Sequence, residues 1–364
     1  WEVDGKTWAA GSLLAAPWKD WKKGKHRITA LFVPSETTSL EGVVTTKGHV
    51  VLHTLDTVRS RIEVLTPRGK AWKRAPLAGA PAMGRLGISA VDALGSDDYW
   101  LTSTDYLTPS TLALGTLGGG PAEPLKQLPA LFDASGLHVS QYMATSEDGT
   151  KIPYFEVAPE GMALDGSHPT LLYGYGGFEV SLLPYYSATR GVTWLEKGGV
   201  FVVANIRGGG EFGPRWHQAA LKENRLRAYE DFAAVARDLV SRGVTTAPRL
   251  AIEGGSNGGL LVGNMYSLYP ELFGAVLCEV PLLDMRRYSK LLAGASWMGE
   301  YGDPDDPAQW AFIRTFSPYH TYDPARERPP IFITTSTRDD RVHPGHARKM
   351  TAKLREAGER VTYY

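Results

Sequence analysis

Residues 249–260 read RLAIEGGSNGGL: an apolar run, a turn through Gly254-Gly255-Ser256-Asn257-Gly258, then the start of an apolar helix. Gly-x-Ser-x-Gly in a strand-turn-helix setting lifts a serine hydroxyl above a sheet. The turn leaves no room for side chains at its flanks, and the next backbone N–H points at a developing oxyanion. Ser256 is therefore the candidate nucleophile and the Asn257 N–H a candidate oxyanion donor. The bare pattern is weak in a chain with 40 glycines. An ordinary strand-to-helix turn would read the same way. The strand before it and LLVGNMYSLYP after it select the nucleophile reading.

A serine hydroxyl needs a general base, and the base needs an orienting carboxylate. In α/β-hydrolases the chain order is Ser, then Asp or Glu, then His. Downstream of the turn, the apolar strand PPIFITTST (329–337) runs into Arg338-Asp339-Asp340-Arg341-Val342-His343-Pro344. Asp339, ahead of Asp340, is the candidate acid; the alternative is two solvated aspartates in a polar loop. No histidine is well placed. His343 and His346 follow so closely that one loop would have to supply both acid and base, and His217 and His320 precede the acid. The chain stops at VTYY, which itself reads as a strand. The base is thus expected beyond Tyr364, and the chain is expected to be a fragment, inactive as it stands. A free-standing enzyme with His343 or His346 as base is the alternative. The second oxyanion donor is expected from Tyr173-Gly174-Tyr175-Gly176-Gly177-Phe178, as a backbone N–H or the Tyr175 hydroxyl.

These groups need elements to hold them. Over the first 130 residues or so, HRITALFV, GHVVLHTLD, RIEVLTP, GISAVDAL and DDYWLTSTDY alternate at period two between Gly-, Pro-, Asp- and Lys-rich turns. That predicts antiparallel sheets. Blade-like repeats are one way to build them, but no crisp repeat signature is present. The character changes across GGGPAEPLKQLPALFDASG (118–136). From there strands (PTLLYGYGG, GVFVVANIRGGG, RLAIEG, PPIFITTST) alternate with helices over 230–243, where Phe232, Val235 and Leu239 share a face closed by Gly243, and over 345–359. This predicts a mostly parallel sheet with helices on both faces and chemistry at the carboxyl ends of its strands.

LLYGYGGF (171–178), VANIRGGGEFG (203–213), GGSNGGLL (254–261), SWMGEYGDP (296–304) and RDDRVHPGHARKM (338–350), with DGTKIPYF (148–155) ahead of them, resemble the prolyl oligopeptidase family of serine peptidases in type and order. The match is dense over 135–364. The resemblance implies a fold: part of a β-propeller, its closing blades, over 1–132, then an α/β-hydrolase domain over 133–364 truncated before the histidine loop. It implies roles too. Ser256 would be the nucleophile, Asp339 the triad acid, and the Tyr175 hydroxyl would join the Asn257 N–H in the oxyanion hole. Arg341 would clamp a substrate carbonyl, with a salt bridge inside its own loop as the alternative. Trp297 would stack on a proline ring in a pocket lined by Phe178, Leu282, Val342 and Tyr301. Arg207 and Glu211 would form a buried structural pair. The family's histidine, its earlier blades and its N-terminal segment have no counterpart in the chain. The implied activity is cleavage of short peptides on the carboxyl side of proline. The alternatives are cleavage after basic residues, for which Glu300 is the nearest carboxylate to Trp297, or an inactive binding module.

Composition bounds the rest. Lys+Arg and Asp+Glu are both 39 in 364 residues, so nothing calls for a nucleic-acid or membrane-surface partner. The one cysteine, Cys278, excludes a disulfide framework and a multi-cysteine metal site. No metal or cofactor is expected, and the partner class is short proline-containing peptides, met by a monomer. Because the chain opens at Trp1, the N-terminus is expected to be missing. The compartment stays open between cytoplasm and periplasm.

Overall fold

The alternating runs of the first third become two four-stranded antiparallel meanders. One comprises Thr38–Thr45, Val50–Asp56, Arg59–Arg68 and Ala71–Pro76; the other Arg85–Ala90, Asp98–Thr104, Thr111–Thr116 and Glu123–Gln127. A hairpin, Leu13–Ala15 with Thr29–Phe32, lies before them. The computed structural model describes residues 1–364, which separate into two units. The first is 1–131 with 183–188 and 211–215; the second is 132–182, 189–210 and 216–364.

Blade character in the first unit follows from period two. Val51 and Leu52 are adjacent on one strand and both wholly buried, yet they belong to different cores. Val51 packs with Ile62 of its own meander and with Leu86, Tyr99 and Leu101 of the second; Leu52 packs with Leu31 and Leu65 toward the hairpin. A four-stranded antiparallel meander packed on both faces is the arrangement of a propeller blade. The strand Glu123–Gln127 is exposed along its whole length and falls inside the stretch that the sequence marks as a junction.

The second unit is built on an eight-stranded sheet: β1 Leu137–Thr145, β2 Lys151–Pro159, β3 Thr170–Gly174, β4 Val200–Ala204, β5 Leu250–Gly255, β6 Ala275–Glu279, β7 Ile331–Thr334 and β8 Val361–Tyr363. Their order is β1-β2-β4-β3-β5-β6-β7-β8. β1–β2 and β2–β4 pair antiparallel, and every later pair is parallel. Helix α1 (Leu226–Ser241) buries Phe232, Val235 and Leu239 as the periodicity predicts, but begins four residues before Glu230. It closes where Gly243 takes φ 73° and donates to the Val240 carbonyl. Helix α2 (Asn257–Leu268) lies on β5 and β6, and α3 (Gly345–Glu356) on β7 and β8. No helix is long and apolar enough to cross a membrane.

Arg207, expected as a buried structural residue, meets Asp231 of α1 through Nε (2.9 Å) and Nη2 (2.6 Å), and Asp148 through Nη1. Asp231 is fully buried, so an ionised partner is needed there. Glu211 falls in the first unit.

Candidate active site

Three strand ends of the second unit carry the candidate chemistry. Ser256 stands between β5 and α2 with φ 57° and ψ −115°, a conformation costing about 1–3 kcal/mol for a residue with a Cβ. The turn is clamped: Ser256 N–H donates to Glu279 O (2.9 Å), and Leu260 N–H to Ser256 O (3.0 Å). Glycine is forced on both sides. A Cβ on Gly254 would collide with the Gly258 carbonyl, and one on Gly258 would sit 2.7 Å from Gly174 O. Ser256 occupies the N-cap position, where a serine hydroxyl ordinarily accepts from the helix; here it makes no cap hydrogen bond. The hydroxyl lies near enough to the Tyr175 phenol to act on it. The Asn257 N–H lies ahead of the helix's first internal bond, where donors are unsatisfied and the helix end is electropositive.

Tyr175 leaves the end of β3. Burial pushes its phenol above the ordinary value, while the guanidinium groups of Arg225 and Arg341 pull the other way. The net rise keeps the hydroxyl a donor at neutral pH. Arg341 is exposed and makes no ion pair, so the salt bridge within its own loop is absent; its guanidinium is near enough to act on Tyr175.

Asp339 follows β7. Its Oδ1 accepts from the N–H groups of Arg341 and Val342, both at 2.9 Å, which holds the carboxylate while Asp340 lies exposed. None of the six histidines of the second unit hydrogen-bonds Ser256 or Asp339. His343 Nδ1 accepts from Gly345 N–H (2.9 Å), and His346 Nδ1 from Asp284 N–H (3.1 Å). Both have local structural partners.

His346 carries a testable consequence. It is 2% exposed, and burial pushes its imidazole down to about 4. The unfolded chain then binds the proton more readily than the folded one. This contribution to stability is complete above the unfolded value near 6.5 and is lost as pH falls from there toward 4. A gap of this size corresponds to about 3 kcal/mol. Measured as Tm between pH 7 and 4, His346→Asn, which keeps an acceptor for Asp284 N–H, should flatten the acid limb; an unchanged limb would refute this assignment.

The pocket residues divide. Trp297 and Phe178 are partly exposed at the edge of the second unit's core. Leu282 and Val342 are buried, at 2% and 5% exposure. Tyr301 departs from the expectation of a lining residue. It is wholly buried, its ring meets Phe178 edge-on at 5.7 Å, and its hydroxyl donates to Asn257 Oδ1 at 2.7 Å. Arg225 and Glu300 complete a network behind the turn. Asn257 Nδ2 donates to Tyr175 O (2.6 Å), and Asn257 Oδ1 also accepts from Arg225 Nη2. Arg225 Nη1 reaches Glu300 Oε1 (2.7 Å); Glu300 further accepts from Phe178 N–H (3.0 Å) and bonds His217 Nε2 (2.7 Å). Burial pushes the Glu300 carboxyl up, but His217 and Arg225 outweigh it and hold it below the ordinary value. Arg225 had no signal in the sequence: in KENRLR it reads as one more surface cation.

The sequence model described as "Prolyl oligopeptidase family" matches residues 185–364. An uncharacterized peptidase of Sinorhizobium fredii is 48% identical over 92% of this chain and 46% of its own length. A prolyl endopeptidase of Elizabethkingia miricola is 35% identical over 81% of this chain and 41% of its own. The solved structure of a post-proline cleaving enzyme from Rickettsia typhi superposes with a TM-score of 0.91 at 37% identity, covering 100% of this chain and 53% of that one. The chain spans about half the length of the curated relatives it matches, 46% and 51% for two of them. Blades followed by a hydrolase sheet, a strained serine between β5 and α2, and these likenesses converge: the chain belongs to the prolyl oligopeptidase family of serine peptidases.

Proposed function

We propose that residues 1–364 carry the nucleophile, acid and oxyanion donors of an oligopeptidase that cleaves short peptides on the carboxyl side of proline. The observation that carries this is the Ser256 hydroxyl, left out of helix capping on a strained strand-to-helix turn near Tyr175. Ser256 Oγ attacks the scissile carbonyl and its proton passes to an imidazole supplied from outside residues 1–364. Asn257 N–H and Tyr175 OH donate to the oxyanion. The C–N bond breaks, the amine leaves with the imidazole's proton, and water then hydrolyses the acyl ester, returning the proton to Ser256. Asp339, with Oδ1 held by two backbone N–H groups, offers Oδ2 to orient the imidazole. Arg341 binds the carbonyl beside the scissile residue, its fork of donors suiting that. Trp297 and Phe178 receive the proline ring, a flat indole on a saturated ring giving contact area at small entropy cost.

The engagement of Glu300 favours proline over a basic residue. Recognition of a cationic side chain needs a free carboxylate, and both Glu300 oxygens already have partners inside the core. The absence of any histidine on Ser256 supports a second reading, an inactive binding module. Both readings are tested in the gene product that contains residues 1–364, using Gly-Pro and Arg-Arg reporter substrates. The expected result is turnover after proline at least about 100-fold above turnover after arginine, the scale set by leaving polar or charged groups unmatched. Equal rates, or hydrolysis of simple esters alone, would sink the proline assignment. No turnover with intact folding would favour the binding module.

A further inference from the structure

We infer that Arg225 is a positioning residue of the oxyanion site, acting through the Asn257 side chain; this rests on the serine-peptidase reading above. Asn257 contributes its backbone N–H to the chemistry, and its amide side chain bridges the serine turn and the Tyr175 loop. Asn257 Nδ2 holds Tyr175 O at 2.6 Å, so the amide ties the residue bearing one oxyanion donor to the residue bearing the other. An amide can rotate about its last bond, exchanging donor and acceptor. Arg225 and the Tyr301 hydroxyl, both donors, converge on Oδ1 and permit only one orientation, with Nδ2 facing Tyr175.

The guanidinium is fixed in turn. Arg225 is 1% exposed, and Nη1 is bound by Glu300, itself 5% exposed. Glu300 also takes the Phe178 N–H, three residues beyond Tyr175. Phe178 and Glu179 are held at φ 56° and 57°, left-handed geometry in residues other than glycine. The Tyr175 loop is thus pinned at both ends by one buried ion pair: through Asn257 at Tyr175 O, and through Glu300 at Phe178 N. A planar fork with donors pointing to two acceptors suits this bridge; a lysine point charge does not. The ion pair sets where the phenol and the Asn257 N–H converge without touching substrate.

The test uses the gene product containing residues 1–364, with a Gly-Pro reporter and with hydrogen exchange at the Phe178 amide. Arg225→Met should lower kcat by about 10- to 100-fold while KM stays within about twofold, as for a group acting only in the transition state. Asn257→Ala, which keeps the backbone N–H, should do the same, and the double variant should be no worse than the worse single. Multiplying losses, or an unchanged kcat, would overturn the inference. Arg225→Met leaves Glu300 buried without its cation, so the variant can fail to fold. Tyr301→Phe, which deletes one hydrogen bond to Asn257 Oδ1, is then the measure: kcat should fall by about 3- to 10-fold with KM unchanged, and no fall refutes the mechanism. Exchange at Phe178 should quicken in Arg225→Met, or in Glu300→Gln where that variant does not fold, whether or not the wild type turns over peptide. Wild-type turnover that survives Ser256→Ala would remove the peptidase reading, whereas unchanged Phe178 exchange would remove the positioning role.

Discussion

Ser256→Ala is expected to abolish the proposed peptide turnover of the gene product containing residues 1–364, lowering kcat by about 10⁶-fold, the size expected when a triad nucleophile is removed. It also ends labelling by a fluorophosphonate. The fold survives, for a reason specific to this site: the Ser256 hydroxyl caps nothing, so alanine removes no helix contact. The backbone at φ 57° remains strained with any Cβ present. Ser256→Gly is therefore the more telling variant. It is equally inactive, yet its Tm should rise, because glycine relieves about 1 kcal/mol or more of conformational strain. Labelling or hydrolysis retained in either variant would overturn Ser256 as nucleophile. A lower Tm for glycine would show that the turn is not strained.

Tyr175→Phe should lower kcat by about 10²- to 10³-fold with little change in KM, the usual cost of deleting one oxyanion donor. The ring stays, so the loop's packing is kept and only the hydroxyl facing Ser256 goes. The pH dependence distinguishes this role from a proton-transfer role. Burial raises the phenol above its ordinary value, so across pH 6–9 it neither ionises nor donates its proton away, and the ratio of wild-type to variant kcat should be flat. A ratio that changes with pH in that window would assign Tyr175 to acid–base work. Equal kcat values would return the second donor to a backbone N–H of the same loop.

The fold of the second unit was readable because its strands are buried runs ending in glycine. β3, β4, β5 and β7 all lie within segments marked by apolar residues, and the VTYY terminus pairs with β7 as β8. The start of α1 was misplaced because Leu226 to Tyr229 carry no apolar repeat of their own, and tertiary packing extends the helix. The blades were only partly readable. Thr38–Thr45 has one buried residue, Ser39, and Glu123–Gln127 none, and their strand character comes from backbone pairing with a neighbour. The Asp231 partner of Arg207 had no signal in the sequence, because it is brought in by α1 crossing over the sheet.

Residue order alone determined that a serine would sit between glycines at a strand-to-helix turn, because a Cβ two residues to either side of it, at Gly254 or Gly258, collides with backbone. It likewise determined that an aspartate and a tyrosine would leave the carboxyl ends of other strands. Only the tertiary structure decided that β3 and β5 are neighbours, since β4 lies on the far side of β3, and so that Tyr175 comes near Ser256. Only it decided that Glu300, which on sequence could have faced a substrate, is buried against Arg225 and His217. Apolar periodicity and glycine sterics are local and survive in one dimension. The pairing of buried charges depends on desolvation, which exists only after distant segments have closed around them.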